Sequence, residues 1–101
     1  MKTLYRHGEV CFELIDKLPE NLKEEKTNIF AKGTTGNSHT FKGGKLYLKN
    51  ESAYVFGYFE AKNTKLYHKE HSPNGVSIPD GIYRLRRQVE FINGELKIVV
   101  D

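Results

Sequence analysis

Apolar side chains in this chain recur at every second position over stretches of four to eight residues, and Gly, Pro, Asn or Asp closes each stretch. A repeat of two belongs to a strand with one buried face, whereas a helix would repeat near 3.6. In Val10–Ile15, Val10, Phe12 and Leu14 share one face, and Cys11, Glu13 and Ile15 the other. Residues 28–32, 39–41, 45–49 and 65–70 read as further strands between turn-forming dipeptides. Residues 53–61 are apolar on both parities, which fits a central strand, with Gly57 marking a bulge or a close backbone approach. Residues 82–92 and 95–100 flank Asn93-Gly94, the strongest short-range signal for a two-residue type I′ hairpin. The one helix candidate is a turn over 20–24 after Pro19. Residues 72–81, SPNGVSIPDG, hold two prolines and two glycine-bearing turn dipeptides and read as an irregular excursion. The pattern predicts an all-β single domain over residues 1–101, a small barrel or sandwich of seven or eight short antiparallel strands.

Size and composition bound the function. A chain of 101 residues buries roughly 60–70% of its unfolded surface, enough to fold without a disulfide or metal staple. The single cysteine, Cys11, closes no intramolecular disulfide and belongs to no zinc-type spacing, so a reducing, cytoplasmic setting is expected. Lys2, Arg6, His7 and Glu9 interrupt any apolar signal region, and no apolar run approaches the ~20 residues of a membrane helix. A membrane role is not expected.

Four histidines, His7, His39, His68 and His71, are the first chemical feature, three of them beside turns at strand ends. On a regular strand His68 and His71 would point to opposite faces, so they converge only if Ser72-Pro73 or a bulge resets the parity. His39, His68 and His71 together would then form a site for a divalent metal or small ligand. Nucleophile candidates are Cys11, Ser38, Ser72 and Ser77. None lies in a recognised catalytic motif, and Cys11 within a strand is better read as a small buried hydrophobe.

Charge is distributed unevenly. Lys26, Lys32, Lys42, Lys45 and Lys49 span a stretch with no acid. Arg84 and Arg86 share one parity of the long last strand, whereas Arg87 falls with Tyr83 and Leu85 on the apolar parity. A guanidinium in that position needs a carboxylate or carbonyl partner, faces a ligand, or snorkels to water. Lys42, Lys45, Tyr47, Arg84 and Arg86 combine cations with a ring in the manner of a single-stranded nucleic-acid platform.

The segments GTTGNSHTF (33–41), HKEH (68–71) and IPDGIYRLRRQVEF (78–91), behind RHGEV and Leu18-Pro19, resemble small uncharacterised proteins of phage and bacterial genomes. That resemblance implies one domain and no assigned activity. GVSIPDGIYR (75–84) is similar to the second signature of cupins, in which a glycine, a proline and a glycine precede a metal-binding histidine. Arg84 stands where that histidine belongs, and His39 stands alone where the first signature has a histidine pair and a glutamate, so the cupin metal triad does not carry over. The expected function is a binding or interaction module of phage or bacterial origin without catalysis, its ligand residues His39, His68, His71, Arg84 and Arg87. The alternatives are a His-lined, cupin-like metal or small-ligand site and single-stranded nucleic-acid binding. Association into a homo-oligomer would cover surplus aromatic surface.

Overall fold

A computed structural model describes residues 4–32, 38–52, 54–70, 72–87, 89–92 and 95–98, the last two segments as backbone alone. The elements are β1 (Leu4–His7), β2 (Val10–Ile15), β3 (Ile29–Lys32), β4 (Ser38–Lys42), β5 (Lys45–Leu48), β6 (Val55–Ala61), β7 (Thr64–His68), β8 (Ser72–Ile78), β9 (Gly81–Arg87), β10 (Val89–Ile92) and β11 (Glu95–Ile98). Nine of them build two antiparallel sheets, ordered β1-β2-β9-β6-β5 and β3-β4-β7-β8, and β10 pairs with β11 as a separate hairpin. The predicted class is therefore found, as two open sheets rather than a closed barrel.

The alternation sets the faces. Val10, Phe12, Tyr83 and Leu85 of the five-stranded sheet and Phe30, Phe41, Leu66 and Ile78 of the four-stranded sheet are buried in one core. Its centre is aromatic: Phe12 meets Phe30, Phe59 and Tyr83 edge-on at 5.4, 6.0 and 5.9 Å between ring centroids. Phe41 meets Phe59 in the same way at 4.8 Å. Such pairs contribute about 0.5–1.5 kcal/mol each beyond the burial of their area. In β6 the register slips between Val55 and Gly57. Phe56 and Phe59 thereby both reach the core, while the Tyr58–Arg84 pair belongs to the outer face.

Three elements depart from the sequence pattern. Residues 20–24 contain no helix; they lie in the irregular connection whose Glu25 bridges to Leu46 of β5. Leu4–His7, outside the predicted strands, pairs with β2 through the tight Gly8-Glu9 turn, in which Gly8 takes a φ of 62°. Residues 72–78, expected to be irregular, form β8. It is an edge strand, where Pro73 takes no ladder hydrogen bond away from a second neighbour. The strand count consequently exceeds seven or eight. The predicted final hairpin is present, with Ile92 opposite Glu95 leaving a two-residue connection; Asn93 and Gly94 themselves lie outside the described residues.

Candidate functional site

The histidines meet where the two sheets join. Thr40 pairs with Tyr67, so His39 at the next position of β4 lies beside His68 at the end of β7, their rings 4.5 Å apart. The β7–β8 register then jumps from Leu66–Val76 to His68–Ser72. The extra residues in β8 are accommodated by Gly75, whose φ of 84° suits glycine and whose missing Cβ would lie 2.7 Å from the Tyr67 ring. This irregularity places Ser72 opposite His68. His7, the last residue of β1, arrives from the other sheet. Its Nδ1 lies 3.0 Å from His39 Nδ1 and its Nε2 2.6 Å from Ser72 Oγ. All four side chains are buried, with His39 at 1% exposure.

The protons at this junction are constrained. The Glu70 amide donates to His68 Nδ1 at 3.2 Å, which assigns the proton of a neutral His68 to Nε2. Between His7 and His39 one Nδ1 donates and the other accepts, and both nitrogens of His7 are engaged. Hydrogen-bonded imidazoles in these roles do not offer a set of free lone pairs. Among the described residues no group of three or more His, Cys, Asp or Glu is arranged to hold a metal ion. Of the expected trio, His39 and His68 come together, His7 joins them from β1, and His71 lies outside the described residues.

Arg84 and Arg86 project from the opposite side of β9. Arg84 Nη1 donates to Glu13 Oε1 at 2.9 Å, and Arg86 Nη1 lies 3.7 Å from the same oxygen. Glu13 is almost wholly buried, a costly state for a carboxylate without cationic partners. The Tyr58 phenol, and more weakly Glu13, hold the Arg84 guanidinium above its ordinary pKa. Burial, followed by a hydrogen bond to Glu51, raises that of Tyr58. Cys11, between Arg6 and Arg86 in the strand register, is half-buried rather than fully enclosed; burial raises its thiol pKa, and Arg86 and Arg6 offset part of that.

The nucleic-acid set is divided between the sheets. Lys42 of β4 lies 5.8 Å from the Tyr67 ring, Lys45 and Tyr47 are on edge strand β5 opposite Glu60 and Tyr58, and Arg84 and Arg86 share Glu13.

Arg87 has a different setting. It ends β9 on the inward parity opposite Val10, and its guanidinium carbon lies 5.0 Å from the centroid of the Phe56 ring. Among the described residues no carboxylate reaches it within ion-pair distance. It borders an open cleft of about 500 Å³ between the sheets, walled by Ile29, Phe30, Ala31, Leu48 and Phe56, with Lys32 also on the lining. Phe30 belongs to both regions: it lines the cleft and packs against His7 and His39 at 5.8 and 5.4 Å. Sequence parity singled out Arg87 but not the cleft, whose walls come from strands far apart in the chain.

The pattern of a domain of unknown function, DUF8820, matches residues 6–88. The chain belongs to the DUF8820 family. The matched span runs from β1 through β9 and so holds the histidine junction, the Glu13 cluster and the cleft. No curated protein and no solved structure matches this DUF8820 chain. Among its described residues no helix is long and apolar enough to cross a membrane.

Proposed function

We propose that this DUF8820 protein is a binding module whose inter-sheet cleft takes a small anion with an apolar body, such as a hydrophobic carboxylate. The observation that carries the reading is Arg87: a permanent cation on the mouth of an apolar cleft, held against Phe56 and facing no carboxylate among the described residues. Cleft and cation are complementary to such a ligand in separate ways. Ile29, Phe30, Leu48 and Phe56 bury its hydrocarbon at about 25 cal/mol per Å² of apolar surface. The planar guanidinium offers a paired donor edge to a carboxylate or phosphate, with Lys32 as a second cation. Arg84 and Arg86 are less suited to this role, because Glu13 already answers their charge.

The test is calorimetric titration with 4-phenylbutyrate and hexanoate, each beside its neutral amide. The carboxylates are expected to bind more tightly than the amides, and Arg87→Ala is expected to lower carboxylate affinity about tenfold or more. Equal affinity for acid and amide, or carboxylate binding unchanged in Arg87→Ala, overturns the reading.

A further inference from the structure

The histidine junction contains an arrangement that the cleft does not use. Ser72 Oγ is 2.6 Å from His7 Nε2, and the other nitrogen of His7 is 3.0 Å from His39 Nδ1. A hydroxyl against an imidazole, whose far nitrogen is held by a third group, is the geometry of an activated nucleophile, its base and an orienting partner. The three come from β8, β1 and β4, with no sequence proximity, and the register jump between Ser72 and Val76 places Ser72 opposite His68.

We propose that Ser72 is an activated nucleophile, with His7 as its general base and His39 as the positioning residue, forming an acyl-accepting site for small activated esters. In the working tautomer His39 Nδ1 accepts the Nδ1 proton of His7, which leaves the lone pair of His7 Nε2 facing the serine hydroxyl. Ser72 Oγ adds to the acyl carbon as its proton passes to His7 Nε2. The ester C–O bond then breaks, the alcohol leaves with that proton, and the acyl group stays on Ser72. Attack by water, deprotonated in its turn by His7, releases the acid and restores the hydroxyl.

Ser72 lies at the edge of its sheet, beside exposed residues. Ser72 opens an edge strand, is followed by exposed Pro73 and Asn74, and faces His68, which exposed Lys69 and Glu70 follow. Ser72 itself keeps 7% of its surface exposed, and Phe30 packs against the two imidazoles that hold it.

A fluorophosphonate probes this directly: the Oγ–P bond forms, the P–F bond breaks, fluoride leaves with that electron pair, and the hydroxyl proton goes to His7. The protein is treated with the probe and the modified residue located by peptide mass. Ser77, exposed on the same strand, is the internal reference. General-base assistance is worth roughly 10²–10⁴ in rate, so Ser72 is expected to be modified more than about tenfold faster than Ser77. Modification should slow on acidification, since a protonated imidazole takes no proton, and His39→Gln should move that pH profile while leaving Ser72 the residue modified. Modification of Ser72 at less than about tenfold the rate of Ser77, or none, overturns the proposal.

Discussion

The histidine junction and the Arg87 cleft press on the same Phe30 ring yet treat their polar groups in opposite ways. At the junction imidazoles and a hydroxyl answer one another: His7 bonds to His39 and Ser72, and the Glu70 amide bonds to His68. In the cleft the guanidinium of Arg87 rests on a ring and meets no carboxylate among the described residues. The first arrangement joins two sheets, because a buried polar network is favourable only when its members are satisfied. The second leaves a charge available to a molecule that comes from outside. Changes at the junction should therefore be read in stability and in the reactivity of Ser72, and changes in the cleft in binding.

Removing the shared wall has the largest expected effect. Phe30→Ala opens a cavity between Phe12, Phe41 and the imidazoles and should lower unfolding free energy by about 3–5 kcal/mol in denaturant titration. A loss below about 1 kcal/mol would mean that the two regions do not lean on this ring. Ser72→Ala withdraws the partner of a buried imidazole nitrogen and is expected to cost about 1–3 kcal/mol. Gly75→Ala forces a side chain into a left-handed conformation and against Tyr67, for a similar loss of about 1–3 kcal/mol. It should also disturb the imidazole NMR signals of His68 and His7, because it disrupts the register that brings Ser72 to them.

A smaller effect is expected from pH. Burial raises the Cys11 thiol and the Tyr58 and Tyr83 phenols above their ordinary values. For such acids the folded chain holds its protons longer than the unfolded chain does. The stability they contribute is complete below the ordinary values, 9.0 for the thiol and 10.0 for the phenols, and is lost as pH rises through the folded ones. Melting temperature should fall on the alkaline side of about pH 9, and less steeply in Cys11→Ser. Arg87→Ala should change stability least, by about 0.5–1 kcal/mol of lost ring contact, despite its effect on ligand affinity.

Much of the fold was legible because alternation reports burial directly. Phe12, Tyr83 and Leu85 lie on the faces their parity assigns. Arg87 was recognisable as anomalous for the same reason, and Gly57 marked both a register slip and a close approach of the Tyr47 carbonyl, 2.5 Å from where a Cβ would lie. The junction was only half legible. Alternation assumes a regular register, and His68 meets Ser72 through a slip that a local pattern does not encode. His7 was left out of the expected trio because β1 is short and its exposed residues Leu4 and Tyr5 are apolar on both parities, which hides the alternation. The signal that would have found it is Gly8 directly after His7, a residue that readily adopts positive φ between two extended segments. Pro73 likewise disguised β8, since a proline excludes a central strand but not an edge.

The contrast between an inward-answered junction and an unanswered cation is tested most directly by amide NMR mapping of 4-phenylbutyrate on the wild-type protein. Saturable shifts at Ile29, Phe30, Phe56 and Arg87, with His7, His39 and Ser72 little moved and the midpoint raised about tenfold or more in Arg87→Ala, are the predicted result. Shifts centred on the histidines and Ser72, or with an unchanged midpoint in Arg87→Ala, would contradict it.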